Sequence, residues 1–137
     1  MTRHIEAVNP PALGKPVGYS HGYEVKSGRV LFIAGQVAKD GEGRVVGRGD
    51  VVAQFGQVCR NLKTVVAAAG GDLTDVVKLT IYVLDVDDYK KRVKEIGGVY
   101  REHFGKHFPA MTLVGARDLF DASDGCMIEI EAVAALP

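Results

Sequence analysis

Between Met127 and Ala135 the chain reads MIEIEAVAA, an alternation that a β-strand resolves into two faces. Ile128, Ile130, Ala132 and Ala134 fall on one side and form a core face. Met127, Glu129, Glu131 and Val133 fall on the other. Two carboxylates sharing a face with Met and Val leave two readings open. One is an exposed sheet face; the other is a partly buried carboxylate at a site. This strand closes a stretch that starts at Phe108-Pro109-Ala110, runs through the apolar segment Met111 to Val114 and crosses a polar loop.

The remaining segments must pair with that strand or pack on it. A short strand is predicted around His4 to Val8, followed by a loop in which Pro10, Pro11 and Pro16 remove backbone donors. Tyr19 to Val25 and Arg29 to Gln36 read as two strands joined by a Lys-Ser-Gly turn, a hairpin. VLFIAG in the second is apolar at every position, which implies cover on both faces. Asp50 is a plausible N-cap for a helix to Ala69, with Val51, Phe55, Val58, Leu62, Val65 and Val66 as its core stripe. Gly70 and Gly71 end it. Val77 to Leu84 is a strand with little polar alternation, and a second helix is expected from about Asp87 to Phe104, weakened at Gly97-Gly98.

That order gives an α+β domain spanning 1–137, a mixed sheet with two helices on one face. Two helices cover a single face of such a sheet. Apolar residues on both faces of the strands at 30–34 and 77–84 therefore call for a second cover, and another copy of the chain is the simplest one.

Composition narrows the function classes. The 17 basic residues balance 17 acidic ones over 137 residues, so no positive field is available to capture nucleic acid or an anionic membrane. Cys59 and Cys126 form no CxxC pair and are too few for a disulfide scaffold; Cys59, beside the helix stripe, reads as a small buried hydrophobe. With no signal-like opening and no 18-residue apolar run, a soluble cytoplasmic protein is expected.

The local chemical motifs are weak. DGEGRVVGRG at 40–49 misses the dinucleotide spacing by one residue and lacks the Walker lysine, so it reads as a flexible loop. Its Arg-Gly-Asp is an accident of that loop. His103 and His107 have the i,i+4 spacing of helical metal pairs, but Gly105 intervenes and no third ligand follows, so no metal site is expected. His21 reads as a structural histidine.

Five segments carry a more specific signal: GYSHG at 18–22, FIAGQ at 32–36, KLTIYVLD at 78–85, FPAMT at 108–112 and IEIEAVA at 128–134. Together they resemble the Rid family (YjgF-type reactive-intermediate deaminases), in register from about Ile5 to the C-terminus. The resemblance implies a chorismate-mutase-like subunit and a homotrimer with a small-molecule site in each cleft between neighbours. It implies cofactor-free hydrolysis of imines and enamines such as 2-aminoacrylate. By that likeness Glu129 corresponds to the carboxylate that positions or activates water, and Tyr19 to the pocket tyrosine. The family arginine that grips a substrate carboxylate through two parallel hydrogen bonds corresponds to Met111, beside Thr112. A serine before Gly35 becomes Ala34, an asparagine aligns with Gly97, and a cysteine with Leu113. These departures remove an anion clamp and several polar contacts. Imines derived from amino acids become poor substrates, and a neutral or cationic ligand gains ground. Arg117, in the following loop, could reach back but reads as a solvated surface residue. Two functions follow: a hydrolase acting through Glu129 on a less acidic substrate, or a regulatory trimer that binds a small molecule without turnover. A ribonuclease role has no basic stripe or aromatic platform behind it.

Overall fold

The computed structural model describes residues 3–137. Six strands and three helices follow one another as β1 (Ile5–Val8), β2 (Gly22–Val25), β3 (Arg29–Val37), α1 (Val51–Ala68), β4 (Val76–Val83), α2 (Val86–Lys91), α3 (Val93–Phe104), β5 (Ala110–Gly115) and β6 (Ile128–Leu136). The main sheet has the order β3-β6-β4-β5, and β1-β2 form a separate pair. The expected mixed α+β architecture is present, with the C-terminal strand at its centre between β3 and β4.

The hairpin predicted for 19–36 does not form. β2 pairs with β1, Ile5 opposite Val25, while β3 pairs antiparallel with β6, Arg29 opposite Leu136. The Lys26-Ser27-Gly28 turn instead passes the chain from one sheet to the other. Gly28 has φ 106°, and a Cβ there would run into the Leu136 carbonyl, so a hairpin-like sequence is used as a crossover. The second predicted helix is also two helices. It breaks at Arg92 (φ −106°, ψ 15°), whereas Gly97 and Gly98 lie inside an unbroken α3.

Helix α1 forms as the sequence suggests. Asp50 accepts hydrogen bonds from the N–H groups of Val52 and Ala53, closing the helix start. Val51, Phe55, Val58, Leu62 and Val66 are buried, with Cys59 in the same core. They pack with Ile96, Tyr100 and Phe104 of α3 against Leu79, Ile81, Ile128 and Ile130 of the sheet. Truncating one of these, as in Leu62→Ala, costs about 2–5 kcal/mol.

The opposite sheet face differs from its expected apolar character in two ways. Strand β4 does alternate: Leu79, Ile81 and Val83 are buried, while Lys78, Thr80 and Tyr82 face outward. In addition, the β1-β2 pair covers one end of the face from within the same chain, through Ile5 and Tyr23 against Val77, Val133 and Ala135. What stays open is Phe32, 79% exposed, and Val30, 52% exposed, on β3, beside Thr80, Tyr82, Glu129 and Glu131. Among the described residues, no helix is long and apolar enough to cross a membrane.

Candidate functional site

The residues implicated by sequence fall into two groups on opposite faces of the main sheet. On β5, Met111 pairs with Leu79, whose side chain is buried under the helices. On β6, Glu129 pairs with Tyr82, which faces outward. Neighbouring paired residues share a face, so Met111 and Glu129 of one chain do not meet.

The helix-side group surrounds a cavity of about 280 Å³ whose walls include Tyr19, Tyr89, Gly97, Tyr100, Phe108 and Met111. Tyr19 is brought there by its neighbour. The Ser20 N–H donates to the Pro109 carbonyl at 3.0 Å and its hydroxyl to the Phe108 carbonyl at 2.6 Å, tying the 18–20 loop to the start of β5. His21 Nε2 bonds the Gly14 carbonyl at 2.6 Å and its ring meets Tyr19 edge-on at 5.4 Å, a structural role as expected. The floor is aromatic: Tyr100 stacks on Phe104 at 4.6 Å and on Phe108 at 5.6 Å, and its hydroxyl donates to the His107 carbonyl at 2.6 Å. Burial pushes the Tyr89 phenol up to about 12, so it is a neutral hydrogen-bond donor at physiological pH.

The second group stands on the helix-free face. The β3-β6 register shifts between Ile33 and Gln36, and Ala34 and Gly35 fill the irregularity. Both are exposed, and the Glu129 carboxylate lies against Gly35 where any side chain would stand. Tyr82 lies beside the two acids of β6: its hydroxyl donates to Glu131 Oε1 at 2.7 Å, and that bond first, then desolvation and the negative charges of Glu131 and Glu129, raises its pKa. Thr112 belongs to this face as well, its Oγ1 accepting a hydrogen bond from Lys78 Nζ at 2.7 Å. Its side chain is therefore not beside that of Met111.

Arg117 is exposed and is not among the residues around the Met111 cavity. His103 and His107 form no metal pair; His107 Nε2 donates to the Val76 carbonyl at 2.6 Å. Among the described residues, no group of three or more His, Cys, Asp or Glu is placed to hold a metal ion. Sequence reasoning missed Tyr89, Tyr100 and Arg101 of the cavity. Arg101 follows Gly97 by four residues on α3, a spacing that puts the two on one helix face and could have identified it.

A family model described as Endoribonuclease L-PSP matches residues 10–136. The chain belongs to this family. Within this Rid/YjgF-type family, a RutC family protein of Pyrococcus horikoshii is 38% identical over 120 residues, covering 88% of this chain and 89% of its own. The human 2-iminobutanoate/2-iminopropanoate deaminase is 32% identical over 106 residues, 77% of this chain and 72% of its own. A crystal structure of a Rid-family protein of unknown function from Yersinia pestis superimposes with a TM-score of 0.87 at 36% identity, covering 98% of this chain and all 100% of that one. The Rid-family fold is thus present over nearly the whole chain.

Proposed function

We propose that this protein is a cofactor-independent imine or enamine hydrolase whose site is completed between neighbouring copies in a homotrimer. The observation that carries this reading is the Glu129 carboxylate, held against Gly35 on a sheet face that one chain leaves open. The deaminase activity named for similar proteins supports the reaction class. The separation of Tyr19, Gly97 and Met111 from Ala34, Gly35 and Glu129 supports the assembly: one copy supplies the cavity, and the next supplies the acid.

In this mechanism Glu129 takes a proton from water as the oxygen attacks the C=N carbon. The resulting carbinolamine collapses with a proton returned to nitrogen, releasing ammonia and leaving a carbonyl. Water is consumed once per turnover and no electron acceptor is needed. Tyr19 orients the substrate from the cavity side. Met111 offers no charge or donor, so 2-iminopropanoate, which is small and anionic, is turned over weakly. Ammonia release from imines generated in situ tests the proposal. Glu129→Gln, which keeps the shape and removes the charge, is expected to fold normally and lose about 10²-fold in rate. An undiminished rate in that variant would assign the carboxylate a structural role. Saturable ligand binding by the wild type with no product would instead favour a regulatory, non-catalytic trimer.

A further inference from the structure

The cavity around Met111 is lined by a single charged residue, Arg101, and by no carboxylate. Arg101 is exposed on α3, and its Nη1 lies 3.5 Å from the place a Cβ of Gly97 would occupy. The absent side chain at Gly97 leaves its guanidinium a route back across the cavity mouth. A solvated arginine near a helix C-terminus is common, because it complements the helix dipole. Its course over Gly97 is the ordinary lean of a helical side chain toward the residue four positions back, as Arg60 leans over Gly56. What the dipole does not account for is its place at the rim of a cavity that carries no other charge. Nor is the guanidinium engaged elsewhere: the ion pairs among the described residues do not include it. Behind it lie the rings of Tyr89, Tyr100 and Phe108 and the side chains of Met111 and Leu113. A positive rim over an apolar, aromatic interior fits a molecule with one anionic end and an apolar body.

We infer that Arg101 is the anion-recognising residue of this cavity, and that the ligand class is a monocarboxylate with an aromatic or branched apolar body. The inference rests on reading the cavity as the substrate side of the site, and it deepens that reading by specifying the substrate. It also revises the expectation of a neutral ligand. Loss of the clamp on β5 disfavours a short imino acid, whose carboxylate adjoins the reacting carbon. A larger one instead presents its carboxylate to α3 while its body fills the cavity.

The test uses 3-phenylpropanoate and its neutral isostere 3-phenylpropanamide, titrated calorimetrically into wild type and Arg101→Gln. Arg101 is exposed, so the variant is expected to keep the wild-type melting temperature. The carboxylate is expected to bind the wild type at least about tenfold more tightly than the amide, as a charge-assisted pair requires. In Arg101→Gln that preference is expected to vanish while amide binding stays unchanged. Equal binding of both probes by the wild type, a preference that survives in Arg101→Gln, or no binding of either probe would each overturn the inference. Turnover is read separately in Glu129→Gln. Loss of turnover there together with Arg101-independent binding would sink this inference and leave the hydrolase reading standing.

Discussion

The Glu129 carboxylate occupies the space a side chain at Gly35 would need: a Cβ built on Gly35 would stand 2.8 Å from Glu129 Cδ and 2.9 Å from its Cγ. Gly35 has no positive φ, so its role here is close approach rather than an unusual backbone conformation. Gly35→Ala is therefore expected to leave the strand intact and to push the carboxylate into another rotamer. Imine hydrolysis should approach the rate of Glu129→Gln, about 10²-fold below wild type, with circular dichroism and melting close to wild type. Wild-type turnover in a folded Gly35→Ala protein would show that the carboxylate's position is immaterial.

Met111→Arg reintroduces a bidentate donor on β5. It is expected to raise kcat/KM on 2-iminopropanoate by about tenfold or more, the scale of a charge-assisted pair in a desolvated site. Ala34 and the Arg101 side chain over Gly97 limit the gain. A coupled assay that traps 2-aminoacrylate products measures it, and no change would place the carboxylate site elsewhere.

Phe32 is 79% exposed in one chain, on the helix-free face beside Glu131 and Thr80. A charge there disturbs no intrachain core contact but is incompatible with burial between copies. Phe32→Glu is expected to be a folded monomer by light scattering at micromolar concentration, while the wild type runs as a trimer. A monomeric wild type, or a trimeric variant, contradicts the assembly.

Acid is expected to weaken the fold through His107. Its Nε2–H donates to the Val76 carbonyl and its Nδ1 accepts from the Tyr23 hydroxyl at 3.4 Å, an arrangement made by the neutral ring. Desolvation pulls its pKa down, opposed by the Val76 carbonyl, and Arg3 adds to the depression. The His103 pKa is lowered as well, first by desolvation. An unfolded histidine takes up a proton below about pH 6.5, whereas the folded one resists until lower pH. The unfolded chain therefore binds more protons in that window, and stability falls as pH drops through it. Melting temperature is expected to decline from pH 7.5 to 5, less steeply in His107→Gln, which keeps a donor for Val76. A flat wild-type profile would remove the histidines from the account.

Local periodicity was enough to place Glu129 on the face away from the helices, to draw the α1 stripe and to choose Asp50 as its cap. Each of these depends on neighbours a few residues away, which is the range over which side-chain direction follows from a strand or helix repeat. Pairing partners lie outside that range. Whether β2 joined β3 or β1 was decided by packing: Ile5 and Tyr23 bury Val77 and Val133, and β6 takes β3 along its whole length. The same holds for the site. The sequence named Tyr19, Met111 and Glu129, but only the sheet registers put Met111 under the helices and Glu129 on the open face. The four-residue spacing already sets Arg101 over Gly97 on one helix face, but only the packing of α3 beside β5 brings that face to the cavity around Met111, because contacts between distant segments lie beyond the reach of a helix repeat.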